Sequence, residues 1–153
     1  MNIMTHAQGE FVLTTDKNLM NIAMIHQYLS QESYWAKDIP LALVEKSVNN
    51  SLNFGVFHKE KQIAYARVIT DYSTIAYLGD VFVLSDFRGK GISKWLMKEI
   101  TAHPALQGLR RWILLTADAH DLYNKYGWES IRQPEKWMEK TLLNPYNKTS
   151  DNQ

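Results

Sequence analysis

Residues 87–94, with the sequence Phe-Arg-Gly-Lys-Gly-Ile-Ser-Lys, constrain the fold more than any other segment. An apolar run at 81–84 precedes them, and a run with helical spacing of apolar residues follows at 92–100. This order predicts a strand, a glycine loop and a helix. Gly89 and Gly91 lack Cβ atoms, so the backbone there can turn several N–H groups toward one point. Because a helix N-terminus adds unpaired N–H donors and a positive dipole end, the segment predicts an anion site, above all for phosphate.

Composition limits the classes of protein to which the chain can belong. Its 153 residues suffice for one domain with a single core, and its net charge of +1 provides no basic field for nonspecific nucleic-acid binding. The absence of cysteine excludes disulfides, thiolate metal sites and a cysteine nucleophile. The five histidines have no metal-binding spacing such as HExxH. We therefore expect no metal and no nucleic-acid partner.

No apolar run reaches the roughly 18 residues of a membrane span. Residues 1–8 lack the basic-then-apolar pattern of a signal peptide. The expectation is a cytoplasmic protein with no membrane partner.

Hydrophobic periodicity predicts one mixed α/β domain at 10–143, after an N-terminal extension at 1–9 and before a polar, disordered tail at 144–153. A first helix is expected to begin at an Asp16 cap and to extend to Leu29. Further helices are expected at 41–49, from 92 to about 103, and at 119–125. Strands are expected at 11–13, 53–58, 62–70, 75–84, 111–117, 128–132 and 137–140.

Two nucleotide-binding interpretations of the glycine loop fail on its sequence. A Walker A loop needs G-x-x-x-x-G-K-S/T, whereas Gly89-Lys90-Gly91 is followed by isoleucine and serine. A dinucleotide fingerprint needs a third glycine where this chain has Lys94, and it normally opens its domain.

The loop instead resembles the pyrophosphate loop of the GCN5-related N-acetyltransferase (GNAT) superfamily. Arg88-Gly89-Lys90-Gly91-Ile92-Ser93 is similar to the family pattern Arg-x-x-Gly-x-Gly/Ala, with Ser93 in place of the usual small residue. About 30 residues downstream, Leu122-Tyr123-x-x-Tyr126-Gly127-Trp128 is similar to the family string Leu-Tyr-x-x-x-Gly-Phe. Thr116 stands where many members carry asparagine. The resemblance spans roughly residues 11–140.

This resemblance implies a central, mostly antiparallel sheet that is splayed between the fourth and fifth predicted strands and flanked by helices. It implies acetyl-CoA as co-substrate, with its pantetheine arm paired to backbone groups of Phe82 and Val83. The residues implied to hold the pyrophosphate are Arg88, Gly89, Lys90, Gly91, Ile92, Ser93 and Lys94.

The residues that could carry acetyl transfer follow from the same resemblance and from side-chain chemistry. Tyr123 matches the family tyrosine that returns a proton to the CoA thiolate, whereas Tyr126 is expected to pack in the core. Asp80 is the leading candidate for the general base, and it could alternatively bind a cationic amine; Gly79 beside it predicts a β-bulge. His120, with a suitable intrinsic pKa, and an ordered water are the other candidates for the base.

The acceptor pocket is expected under the loop between the first two helices, where Tyr34 and Trp35 can stack on a substrate. Arg67 and Asp71 are further candidates for its border. The favoured function is an acyltransferase that moves acetyl from acetyl-CoA to a small primary amine, by direct attack in a ternary complex. A non-catalytic acyl-CoA sensor and an acetyltransferase for protein lysines or N-termini remain alternatives. Both a monomer and a homodimer fit the sequence.

Overall fold

A single sheet of six strands, in the order β1-β2-β3-β4-β5-β6, runs through residues 1–146, the part of the chain that the computed structural model describes. Its first five strands are antiparallel neighbours, and β6 is parallel to β5. The mixed, mostly antiparallel sheet expected from the sequence is confirmed. The strands are β1 (Thr5–Gln8), β2 (Phe11–Thr14), β3 (Leu52–His58), β4 (Lys61–Thr70), β5 (Ile75–Val83) and β6 (Arg111–Leu114).

Helices cover both faces of this sheet. They are α1 (Ile22–Gln27), α2 (Leu41–Asn49), α3 (Ile92–Ala102) and α4 (His120–Asn124), with a π-helical turn at Tyr28–Glu32 that continues α1. Side chains alternate along β4, so that Ala64, Ala66 and Val68 join the core under α3, whereas Tyr65 joins the core under α1 and α2. The predicted apolar face of α3 is buried as expected, through Ile92, Trp95, Leu96 and Ile100.

The first helix begins later than the sequence predicts. Asp16 does accept a hydrogen bond as a cap, but from Asn18 in the short 3₁₀ turn Lys17–Leu19. Met20 is then extended and buried, which interrupts the helical path. Asn21 caps α1 instead, because its side chain accepts from the Met24 N–H at 3.0 Å.

The two ends of the sheet also differ from the prediction. Residues 1–9 were expected to precede the domain, yet β1 lies within them and pairs with β2. The predicted strands at 128–132 and 137–140 do not form: among residues 1–146 neither segment pairs with a strand, and the 3₁₀ turn Pro134–Lys136 lies between them. Consequently, within residues 1–146 β6 is an edge strand. Of the predicted disordered tail, residues 147–153 lie outside the described part.

The splay expected between the fourth and fifth predicted strands is confirmed, between β5 and β6. Their parallel register runs from Ile75↔Arg111 to Leu78↔Leu114 and stops there, three residues before the predicted end of the strand at 117. Beyond Leu78, β5 continues to Val83 with pairing only on its β4 side. The edge of β5 that faces away from β4 is therefore open along this stretch.

Two further properties concern the described residues only. No helix among residues 1–146 is both long enough and apolar enough to cross a membrane. Within the same range, no cluster of three or more histidine, aspartate or glutamate side chains is arranged to hold a metal ion.

His103 connects the end of α3 to the segment that leads into β6. Its ring is only 3% exposed, its Nδ1 accepts a hydrogen bond from the Ala105 N–H at 3.1 Å, and it packs edge-on against Phe54. Burial lowers the pKa of His103, because the charged ring would lose its hydration.

We expect His103 to reduce folding stability in acid. Its folded-state pKa lies below the unfolded value of about 6.5, so its contribution is complete above that pH and is lost as the pH falls toward the folded pKa. His103→Asn keeps a capping acceptor but does not titrate. Urea unfolding between about pH 8 and about pH 5 should show a smaller loss of stability in this variant than in the parent. His120→Asn, at an exposed position, is the matched control; equal slopes for all three proteins would contradict the assignment.

Candidate active site

The glycine loop forms between β5 and α3, as the sequence predicts. Gly89 and Gly91 have φ values of +77° and +79°, in the left-handed region that favours glycine. Gly91 is also the N-cap of α3. A Cβ added at either position would meet no atom within 4 Å, so open space adjoins the loop.

Unpaired donors face this space at the start of α3. The Trp95 N–H makes the first capping bond, to the Gly91 carbonyl at 3.0 Å, which leaves the N–H groups of Ile92, Ser93 and Lys94 without helical acceptors. The adjoining hollow has a volume of about 230 Å³ and is lined by Val83, Phe87, Arg88, Gly89, Gly91, Ile92, Ser93 and Lys94. Lys90 is exposed and is not among the lining residues.

Arg88 fastens the loop to the rest of the domain. Its Nε donates to the Val83 carbonyl and its Nη2 to the Tyr28 hydroxyl, both at 3.0 Å. The Tyr28 ring in turn stacks on Phe82, with centroids 3.9 Å apart and planes 8° from parallel. Arg88 therefore has a structural role in holding the loop against β5 and α1, in addition to the charge that it brings to the hollow.

A cleft of about 600 Å³ occupies the splay between β5 and β6. The structure brings five of the predicted site residues to its wall, namely Tyr34, Trp35, Arg67, Asp80 and Tyr123. Phe82 is buried, with 4% exposure, and does not line the cleft. His120 is exposed at the first turn of α4 and does not line the cleft.

Asp80 lies at the bulge that the neighbouring glycine predicts. The register passes from Tyr65↔Phe82 to Arg67↔Gly79, so β5 carries one extra residue there, and Asp80 takes a φ of +52°. Both carboxylate oxygens are engaged: Oδ2 accepts from the Arg67 Nε at 2.5 Å, and Oδ1 accepts from the Trp35 Nε1 at 2.8 Å. Arg67 is held further by its Nη1, which donates to the Ser51 hydroxyl at 3.2 Å.

A loop follows the π-helical turn and spans the splay between β5 and β6. We call this loop, residues 33–36, the roof. Trp35 is bonded to Asp80 on β5, while the Tyr34 hydroxyl accepts from the Ala117 N–H at 2.9 Å, just beyond β6. The two rings meet edge to face, with centroids 5.1 Å apart. The roof is thus attached to both sides of the gap that it covers.

Tyr123 is positioned by the turn that precedes α4. The Thr116 hydroxyl accepts from the Ala119 N–H at 3.0 Å, which fixes the start of this short helix, and the Tyr123 ring packs against Trp128. Tyr123 is only 8% exposed. Burial, and then the neighbouring Tyr34 and Asp118, raise the pKa of Tyr123 to about 12, so its hydroxyl keeps its proton at neutral pH.

Other residues of the prediction lie elsewhere, and some cleft residues were missed. Tyr126 is partly buried against the core, as expected, and lines a separate cavity beside β6. Asp71 accepts hydrogen bonds from Ser73 and Thr74 within its own turn and does not line the cleft.

Tyr77 lines the cleft and could have been found from strand periodicity, two residues before Gly79. Asp118 and Tyr146, also in the wall, carry no sequence signal.

Comparisons with known proteins agree with this geometry. The family model described as "Acetyltransferase (GNAT) domain" matches residues 49–130. A solved structure from Xanthomonas campestris pv. campestris, assigned to the GNAT acetyltransferases, is 52% identical, covers 89% of this chain and 96% of its own, and has a TM-score of 0.87.

Two more distant proteins are similar over most of their length. A protein of Gibberella zeae, named as an acetyltransferase, is 30% identical in an alignment of 140 positions that covers 77% of this chain and 78% of the relative. A structure from Clostridium acetobutylicum, an acetyltransferase with acetyl-CoA, shares the fold at 14% identity, with a TM-score of 0.62 over 95% of this chain and 99% of its own. From the family match and these similarities, the chain belongs to the GNAT family of acetyltransferases.

Proposed function

We propose that the protein transfers the acetyl group of acetyl-CoA to the primary amine of a small molecule, by direct attack in a ternary complex. One observation carries the proposal: the open edge of β5 joins the hollow at the glycine loop to the cleft that holds Tyr123. A ligand with an anionic end and an extended arm can follow this line from the hollow to the cleft.

Acetyl-CoA has that shape. The N–H groups at the start of α3 would bind the pyrophosphate, with Lys94 and Arg88 adding positive charge. Backbone groups on the open edge of β5 near Phe82 and Val83, other than the Val83 carbonyl that accepts from Arg88, would pair with the amides of the pantetheine arm. The thioester would then reach the cleft beside Asp80 and Tyr123. The related fold with acetyl-CoA from Clostridium acetobutylicum supports this cofactor by analogy of fold.

In the reaction, a C–N bond forms and the C–S bond of the thioester breaks. The neutral amine nitrogen attacks the thioester carbonyl carbon, and the resulting tetrahedral intermediate collapses with cleavage of the C–S bond. Tyr123 donates its hydroxyl proton to the departing thiolate, and the proton lost by the attacking nitrogen restores the phenol through water. The raised pKa keeps the Tyr123 phenol protonated until the thiolate forms, but it also makes the phenol a weaker acid than an ordinary tyrosine.

For the base, we propose water rather than Asp80 or His120. Both Asp80 oxygens already accept hydrogen bonds, from Arg67 and Trp35, so the carboxylate serves better to orient an incoming amine than to remove its proton. His120 lies outside the cleft wall. A water in an open cleft can reach both the amine and bulk solvent.

Tyr123→Phe tests the assignment of the general acid. Loss of the hydroxyl should lower kcat by about 100-fold or more, since positioned acids contribute on that order. The dissociation constant of acetyl-CoA should stay unchanged, because the loop and β5 are intact. Thiol release with an amine panel gives the rate, and calorimetry gives the affinity. Tyr126→Phe, three residues away and outside the cleft, should retain the parent rate. Unchanged turnover in Tyr123→Phe would remove Tyr123 from the mechanism.

Gly91→Glu tests the cofactor loop. The substitution places a side chain and a negative charge beside the donors of α3, at a φ of +79° that disfavours any L-residue. CoA binding measured by calorimetry should weaken by about tenfold or more.

Gly108→Glu is the matched control for this substitution. Gly108 has a φ of +76° and open space around it, but it precedes β6, at the opposite end of the parallel pair from the loop. It should lose similar stability and keep CoA affinity. Equal CoA affinity in both variants would show that the loop does not bind the pyrophosphate.

A further inference from the structure

We infer that the acceptor is a primary amine carried on a flat, apolar body without an anionic group, such as an arylalkylamine. This inference rests on the proposed function, because it concerns what fills the acceptor side of the same cleft. Three observations carry it: the aromatic wall, the charge of the cleft, and the way in which the roof is attached.

Aromatic side chains dominate the wall. Five of them line the cleft, namely Tyr34, Trp35, Tyr77, Tyr123 and Tyr146. Tyr34 and Trp35 are 58% and 42% exposed, although aromatic side chains usually bury most of their surface. The polar ends of both are already bonded, to Ala117 and to Asp80, so what they offer a ligand is ring surface. Such surfaces bind other rings by stacking and ammonium groups by cation–π contact.

The charge of the cleft disfavours anions. Among the described residues that line it, Arg67 is the one cation, and its Nε is committed to Asp80 and its Nη1 to Ser51. The charge of this guanidinium is thus already paired with a carboxylate, and two of its five N–H donors are committed, which weakens its attraction for a carboxylate or phosphate group. Asp118 adds a second carboxylate to the wall, so the lining is negative by one charge. Lys37 adds no positive charge to this lining, because it lines an adjoining hollow on the far side of the roof, next to Asp38.

The attachment of the roof sets the shape of the acceptor. Because Trp35 is bonded to β5 and Tyr34 to the segment after β6, the roof spans the cleft at a fixed height. Asp80 is held in place by two hydrogen bonds in a left-handed conformation, so the attachment on β5 is itself rigid. The ring surfaces of Tyr34 and Trp35 are therefore held in place to stack on a planar group, whereas a hydroxylated sugar ring gains less from such surfaces.

Matched amines separate this inference from the proposed function. Thiol release from acetyl-CoA is measured with phenethylamine, phenylalaninamide, phenylalanine, butylamine, glucosamine and glucosamine 6-phosphate. We expect kcat/KM for phenethylamine to exceed that for phenylalanine by about tenfold or more, because the two differ by one carboxylate. Phenylalaninamide has the same bulk without the charge, and it should lie nearer to phenethylamine.

The outcomes distinguish a failure of the inference about the acceptor from a failure of the proposed function. A preference for phenylalanine or for glucosamine 6-phosphate would overturn the inference about the acceptor and leave the acetyltransferase intact. Turnover of no amine, with acetyl-CoA bound, would instead overturn the proposed function and with it this inference, and would favour an acyl-CoA sensor.

Variants at Trp35 test the wall directly. Relative to Trp35→Phe, which also lacks the bond to Asp80, Trp35→Leu should raise KM for phenethylamine by about fivefold or more and change KM for butylamine and acetyl-CoA little, since only the aromatic acceptor uses the ring. Trp35→Phe loses the bond to Asp80 but keeps a ring, so it should retain the preference for phenethylamine over butylamine. Trp137→Leu, outside the cleft, should behave like the parent. Equal changes in KM for both amines in Trp35→Leu would contradict an aromatic acceptor site.

Discussion

The ion pair between Arg67 and Asp80 maintains the bulge in β5, and the site depends on that bulge. A left-handed backbone costs an L-residue roughly 1–2 kcal/mol, although aspartate tolerates it better than most. The hydrogen bonds from Arg67 and Trp35 offset this cost, because bonds to a charged group contribute about 1.5–3 kcal/mol each. The extra residue turns Asp80 toward the cleft near the point where the pairing of β5 with β6 ends.

Buried hydrogen bonds in the core under α1 and α2 support the roof. The Tyr65 hydroxyl donates to the Asn53 side chain, whose amide donates to the Val48 carbonyl at the end of α2. Burial raises the pKa of Tyr65 above its usual value, so this donor stays protonated. Since Tyr65 also lies beside Phe82, on which Tyr28 stacks, one packed unit connects α2, the π-helical turn and β5. The positions of Tyr34 and Trp35 follow from that unit.

The sequence predicted the elements whose signals are local. The glycine loop, the apolar face of α3 and the α2 bounds follow from spacing within a few residues, and Gly79 indicated the bulge. The loop with Tyr34 and Trp35 was expected over the acceptor pocket, but its attachment could not be predicted, because Tyr34 and Ala117 are 83 positions apart and nothing local pairs them. The two missing C-terminal strands show the opposite error: Trp128 and Trp137 look like strand residues, but they contact Tyr123 and Arg111 through their side chains, without a β-ladder. The strand β1, in contrast, was not predicted, because its residues show no hydrophobic alternation. It forms because β2 provides an edge with which it can pair.

The position of β6 at the edge of the sheet affects how this protein behaves at high concentration. An exposed edge can template pairing with strands of other chains, and proteins limit this hazard with short strands and charged residues. β6 has only four residues, and its first, Arg111, places its guanidinium over the Trp137 ring at 4.9 Å. Another chain that added a strand here would have to displace this cation–aromatic contact and would gain few backbone bonds in return. The C-terminal segment thus protects the edge against aggregation through side chains alone, without forming a strand.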